Sequence, residues 1–315
     1  MRDSLSRRSA CLGGSSLLAS PFAATAGLTT LADPRAVPTP LPTATFGVQI
    51  YDDETARELT LRALEAGFRS FFASTESGNQ RGFAAAIRES GVPRDSLFIT
   101  GSVLSDAGDS GAEAFSLTER GCRENARNLL EGGGIEQLDM LLLEFPARSR
   151  AAIRGQWRAM ERARAEGLTR QIGCANFAVS DLDTILSDGT TRTRPAVNQR
   201  CYSLAFRFPY PALRAAHAAR GVPLQAWSPL GGASGLPADV REAAAAIGRR
   251  DGRRASAQQV ALRWCSQRGV GFAVHSSRLD HLRQDVSSAA LQLSAEEMAE
   301  LDALADAPLL PGVPI

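Results

Sequence analysis

Few side chains in this 315-residue chain are equipped for acid–base or nucleophilic chemistry. It holds three histidines, five cysteines and no lysine, so all 35 basic residues are arginine. No amine is present for proton transfer or a Schiff base. Arginine cannot replace it, because its guanidinium stays protonated. Cys11, Cys122, Cys174, Cys201 and Cys265 match no zinc-ligand spacing, and three histidines are too few for a His-rich metal site. What remains is carboxylate, phenol and hydroxyl chemistry. Glu144 closes the apolar run LDMLLLEF (138–145), at the end of an expected strand. Glu76 offers a second carboxylate, and glycosidases use such pairs. Tyr51, just past the first expected strand, is either an acid that enters a site or a rim residue.

The elements that must position these groups alternate. TFGVQI (45–50), RSFFAS (69–74), SLFITGSV (96–103), LDMLLLEF, RQIGCAN (170–176), PAVNQRC (195–201), PLQAWS (223–228) and VGFAVHS (270–276) read as strands. Helical segments lie between them, at 52–67, 79–91, 112–134, 150–167, 209–221, 238–250 and 256–268. Asp52 or Asp53 caps the first helix and Gly67 stops it. LDMLLLEF is almost continuously apolar, as in a strand buried on both faces. Repeated strand–helix alternation means a parallel sheet covered by helices. Eight units in about 260 residues give an α/β fold of the (β/α)8 TIM-barrel class. An open doubly wound sheet calls for a Gly-rich dinucleotide turn after the first strand, and none is present.

A net charge of +1 creates no field for nucleic acid. Residues 1–42 stand apart: Arg7-Arg8, a short apolar run broken by Gly and Ser, then Ala24-Thr25-Ala26 and four prolines between 34 and 42. That is the layout of a signal or transit peptide, similar to a twin-arginine signal, followed by a Pro-rich linker. The apolar run is too short to span a membrane, so the chain is not read as an integral membrane protein. The expected compartment is a thylakoid lumen or bacterial periplasm, with cytoplasm as the alternative. The barrel is expected over 43–307 and a short tail over 308–315. An oxidising compartment would permit a Cys174–Cys201 bridge between neighbouring strands.

Several motifs resemble those of the aldo/keto reductase family. GFRSFFASTESGNQ (67–80) is similar to GYRHIDTA-x-x-YGNE, and SLFITGSV, LDMLLLEFP, GCANF (173–177), PAVNQ (195–199), AWSPLG (226–231), ASAQQVALRW (255–264) and LSAEEMAELDAL (293–304) follow in family order. The resemblance implies a barrel whose mouth binds NADP(H) without a Rossmann motif. It also implies a tetrad of Asp, Tyr, Lys and His, in which Tyr protonates the carbonyl as hydride arrives. Here those four places fall on Phe72, Ser77, Ser102 and Glu144, so no tetrad member is kept. Glu in place of His occurs in a branch that reduces enone double bonds, but that branch keeps Tyr and Lys.

The cofactor positions are better kept. The resemblance places Asn176 and Gln199 at the nicotinamide carboxamide, Trp227 as the stacking ring, and Ser228 and Leu230 at the pyrophosphate. AVHSSRLDHLRQD (273–285) takes the place of IPKS-x-x-x-x-R-x-x-EN, with Ser276 kept, His275 and His281 at the Lys and Arg places, and Gln284 and Asp285 at the adenine-holding pair. Arg278 and Arg283 offer replacement charge for a 2′-phosphate or sit on a helix face. Two readings follow. One is a catalytically inactive or repurposed barrel that binds NADP(H) weakly or not at all, its partner being a small-molecule ligand or nucleotide. The other is an oxidoreductase that uses Glu144 or Tyr51 in place of the tetrad.

Overall fold

The run LDMLLL, Leu138–Leu143 (β4), is buried at all six positions, which requires apolar material on both faces of its sheet. In the computed structural model, which describes residues 40–306 except 49, 105–107 and 207, the sheet closes into a barrel and supplies both. The strands are β1 (Ala44–Val48), β2 (Ser70–Ser74), β3 (Phe98–Val103), β4, β5 (Thr169–Ala175), β6 (Asn198–Cys201), β7 (Leu224–Trp227) and β8 (Gly271–Val274). They run in sequence order, all neighbours parallel, and β8 closes on β1 through Ala44↔Phe272 and Phe46↔Val274. The expected barrel is thus observed, with each of the eight expected strands in place. The expected strand 195–201 begins only at Asn198. The leader read in residues 1–42 lies outside the described residues except for its last three, and the 308–315 tail lies wholly outside.

Helices α1 (Asp53–Ala66), α2 (Gln80–Glu89), α3 (Gly111–Gly133), α4 (Arg150–Ala165), α5 (Val179–Leu186), α6 (Tyr210–Ala218), α7 (Ala238–Arg249), α8 (Ala257–Gln267), α9 (Leu279–Ser287) and α10 (Ala295–Asp306) cover the outside. Local signals set their ends. Asp52 caps α1 by accepting from Thr55 N at 2.7 Å, and Gly67 ends it at φ 104°, a conformation costly for any residue with a Cβ. Ser256 and Gln259 form a capping box on α8. Side chains alternate between the two faces of each strand. Outward rings pack under the helices, with Phe46 5.9 Å from Phe68 and Phe71 5.8 Å from Phe83. Inside the barrel, Phe98, Met140, Leu142 and Val197 form a second apolar cluster, against which Phe72 packs. Beside it runs a polar chain: Gln199 Nε2 donates to Gln225 Oε1 at 2.8 Å, Gln225 Nε2 to Thr45 Oγ1 at 3.3 Å, and Thr45 Oγ1 pairs with Ser70 Oγ at 2.8 Å.

Among the described residues, no helix is long and apolar enough to cross a membrane.

Candidate functional site

The C-terminal ends of parallel barrel strands converge on one face, where loops after each strand build a site. Three of the four tetrad-place residues lie at or just beyond those ends. Ser102 is the penultimate residue of β3, Glu144 follows β4 directly, and Ser77 sits in the 3-10 turn Thr75–Ser77 after β2. Phe72 is one layer deeper, level with Gly47 and Thr100 by register and in contact with the inner apolar cluster.

Ser102 and Glu144 are brought together. The Ser102 hydroxyl donates to Glu144 Oε1 at 2.5 Å. Ser74, the last residue of β2, donates to the same oxygen at 2.6 Å. Glu144 is 6 % exposed, and among the described residues no cation pairs with it and its Oε2 carries no hydrogen bond. Two hydroxyls therefore hold a buried carboxylate without neutralising it. Its hydrogen-bond partners among the described residues are these two serines. Ser77 is buried, and its hydroxyl reaches Val48 O at 3.4 Å, a long bond into the backbone of β1. Tyr51 packs its ring against the core, while its carbonyl accepts from Asn79 Nδ2 at 3.1 Å.

The residues placed at the nicotinamide end meet one another. Asn176 sits at φ 65°, the left-handed region that Asn tolerates better than most residues. Its Nδ2 donates to Glu144 O at 3.0 Å, and its Oδ1 accepts from Trp227 Nε1 at 3.0 Å. The side chain thus ties the end of β7 to the end of β4. Gln199 commits its amide nitrogen to Gln225. Trp227 is half-buried with its indole at the mouth. Ser228 follows at φ 50°, and Leu230 packs against the core.

The residues placed at the phosphate and adenine end lie mostly at the surface, with Asp285 buried. Ser276 Oγ accepts from Arg278 N at 3.1 Å. Arg278 is ion-paired with Asp280 at 2.7 Å, and Arg283 with Glu65 at 2.9 Å. Both pairs are exposed and weak, and a phosphate could compete with either carboxylate. Asp285 is 5 % exposed, and burial pushes its carboxyl up to about 7. A buried carboxyl in place of the family's Asn offers an adenine amino group an acceptor, but brings the desolvation cost of its charge.

The Cys174–Cys201 bridge does not form: neither cysteine is in a disulfide. The register pairs Cys174 with Asn198 and Cys201 with Trp227, so Cys174 faces the helices and Cys201 the barrel interior. Neighbouring strands do not suffice when the two side chains point to opposite faces. Among the described residues, no grouping of His, Cys, Asp or Glu could hold a metal ion. A cleft of about 410 Å³ lies at the opposite end of the barrel, lined by Pro42, Arg69, Asp95 and Asp139 among others. It lies beside the strand starts, at the end of the barrel away from Ser77, Ser102 and Glu144. Asp139 there is clamped by Arg94 at 2.7 Å and Arg170 at 3.2 Å, an arrangement that serves stability.

Ser74, Gln225 and the indole N–H of Trp227 are the partners that motif reading missed. Strand alternation carried a signal for two of them: Ser74 lies two residues beyond Phe72, and Gln225 two before Trp227, so each shares its neighbour's face.

Known proteins agree with this geometry. The profile of the Aldo/keto reductase family matches residues 43–306. An aldo-keto reductase of Mycolicibacterium vanbaalenii is 33% identical over 264 residues, covering 84% of this chain and 88% of that protein. A glyoxal reductase of Bacillus subtilis is 30% identical over 262 residues, covering 82% and 88%. The crystal structure of an aldo/keto reductase from Brucella melitensis superposes with a TM-score of 0.73 at 26% identity, covering 84% of this chain and 95% of that one. The matched span is the whole barrel, so the chain belongs to the aldo/keto reductase family.

Proposed function

We propose that this chain is a family barrel that no longer performs proton-coupled hydride transfer, and that it binds a small molecule or nucleotide at its mouth, NADP(H) included at weak affinity. The observation that carries this reading is the Ser74–Glu144–Ser102 cluster. The family's reaction needs a phenol whose proton is made labile by a neighbouring amine and carboxylate. The group at the phenol's place is Ser77, bonded to the backbone of β1. At the amine's place a serine serves as a donor to Glu144, and at the Asp place Phe72 packs into the inner cluster. With no lysine anywhere in the chain, an Asp at 72 would be an uncompensated buried charge. The four replacements therefore support one another.

For NADP(H), the nicotinamide end supplies a ring and an amide, but that amide is already bonded on both sides. A nicotinamide carboxamide must displace or share those bonds, which lowers affinity. Titration with NADPH and NADH, followed by a panel of aldehydes and ketones, tests the reading. The expected result is weak or undetectable binding and negligible turnover. Turnover abolished by Glu144→Ala or Tyr51→Phe would replace it with the reading of a working oxidoreductase, the activity carried by the names of the relatives.

The same reading places the protein in a thylakoid lumen or periplasm after cleavage near Ala26, where a cytosol-like NADPH supply is not expected. Support comes from Arg7-Arg8 and Ala24-Thr25-Ala26. A fluorescent fusion of residues 1–45 is the test. A uniform cytosolic signal with an intact N-terminus would remove the proposal.

A further inference from the structure

The barrel mouth holds a carboxyl group that pairs with no basic side chain among the described residues. Glu144 is 6 % exposed. Ser74 and Ser102 both donate to Oε1, while Oε2 has no hydrogen-bond partner among the described residues. Hydroxyls stabilise a buried carboxylate but leave its charge in place, and such a group is ordinarily matched by a cation. No basic side chain forms an ion pair with it among the described residues, although arginines are abundant elsewhere on the surface.

Beyond Ser74, Ser102 and Asn176, the mouth carries aromatic and apolar side chains. Trp227 is linked to Glu144 through Asn176, by one bond to Asn176 Oδ1 and another from Asn176 Nδ2 to Glu144 O. The half-buried indole is thereby tied to the backbone of the residue that carries the carboxyl group, at the same mouth. Phe72 lies in the layer below, on the neighbouring strand to Ser102. The loops there carry Ile50 two residues after β1, Leu104 directly after β3 and Phe208 in the connection to α6. These three are among the few large hydrophobics left exposed, at 43%, 39% and 37%. A carboxyl acceptor at the strand ends, an indole at the same mouth and exposed apolar residues in the loops around it suit an organic cation. A phosphate or carboxylate ligand would meet the charge of Glu144, and a neutral ligand would leave it unmatched.

We propose that the mouth binds a small organic cation, an ammonium or amidinium group on an apolar body, with its charge against Glu144 Oε2 and its body against Trp227. This names the ligand class of the binding barrel described above, and rests on that reading.

The test is isothermal titration of the full chain, and of the chain beginning at residue 40, with benzylamine and benzamidine as probes and with benzyl alcohol and benzoate as neutral and anionic counterparts. Trp227 fluorescence is followed in parallel. Trp157 and Trp264 are 1% and 0% exposed, so a ligand at the mouth reads mainly through Trp227, with Trp227→Phe as the control. The cations are expected to bind at least about tenfold more tightly than the alcohol, since a charge-assisted bond is stronger than a neutral one. Glu144→Gln keeps the side-chain volume and an oxygen for Ser74 and Ser102, and is expected to abolish that preference. Glu144→Asp is expected to retain part of it. Equal binding of amine and alcohol, or a preference that survives Glu144→Gln in a folded variant, would overturn the proposal. A carbonyl panel with NADPH on the same preparation separates the two ideas. Turnover would sink the reading of lost reductase chemistry. Absent turnover together with absent cation preference would sink the cation site alone.

Discussion

Trp227 donates its indole N–H to Asn176 Oδ1 at 3.0 Å, and Asn176 passes the link on to the Glu144 carbonyl at 3.0 Å. The ends of β7 and β4, on different sides of the mouth, are thereby joined through one side chain held at φ 65°. A tyrosine, which the family uses at this place, has no donor at the same point of its ring.

The first prediction follows from that bond. Trp227→Tyr removes the indole N–H and frees Asn176 Oδ1. Stability is expected to fall by about 1 kcal/mol in a urea titration, the usual net worth of one hydrogen bond. NADPH affinity is expected to rise about threefold or more, because the amide regains a free acceptor. Unchanged affinity would show that the Trp227–Asn176 bond does not limit the cofactor.

Phe72→Asp places a carboxylate against Phe98, Met140 and Leu142. It is expected to cost about 3 kcal/mol or more. Ser102→Lys in the same chain is expected to recover at least about 1 kcal/mol of that loss, since Ser74↔Ser102 and Phe72↔Thr100 pairings put the two positions on adjacent strands and one face. A double-mutant cycle with zero coupling would place the two side chains out of reach. Adding Ser77→Tyr and Glu144→His completes the family tetrad. Recovery of NADPH-dependent turnover would then show that the cofactor groove is intact.

Asp285 gives the chain a pH dependence of definite sign. Burial raises its carboxyl from 3.8 to about 7. Below pH 3.8 the folded and unfolded chains both carry the proton, and the group costs nothing. From there to about 7 the unfolded chain is ionised while the folded chain is not, so this residue's contribution falls as pH rises, and above about 7 the loss is complete. Asp285→Asn restores the family's residue and removes the titration. It is expected to stabilise the fold by roughly 3 kcal/mol at pH 8 and hardly at all at pH 4, read from melting curves at both values. Equal gains at the two pH values would mean that the charge is compensated.

Gly82 marks where α1 and α2 touch. Its N–H donates to Asp53 Oδ1 at 2.7 Å, and a Cβ there would lie 2.0 Å from the Asp53 carbonyl oxygen. Because the obstacle is backbone, no rotamer change relieves it. Gly82→Ala is expected to destabilise by more than about 3 kcal/mol or to prevent folding, as measured by circular dichroism. A change under 1 kcal/mol would mean that the two helices separate easily.

The sequence alone determined the order and kind of the elements. The β4 run LDMLLL, the Asp52 and Ser256 caps and the Gly67 stop are local signals, decided within a few residues by burial, side-chain bonding and left-handed backbone. Counting eight strand–helix units then left few ways to close the sheet. Motif spacing likewise assigned Phe72, Ser77, Ser102 and Glu144 to strands or the loops that follow them, expected to converge at one face. What only the tertiary structure decided is which of these side chains bond. Ser74 and Ser102, partners in the β2–β3 register, reach one oxygen of Glu144 because the stagger of β4 brings a residue two places beyond their level within hydrogen-bonding distance. The same stagger and alternation place Cys174 and Cys201 on opposite faces of adjacent strands. Hydrogen bonds and disulfides depend on tenths of an ångström and on direction, whereas periodicity in a sequence specifies only face and order.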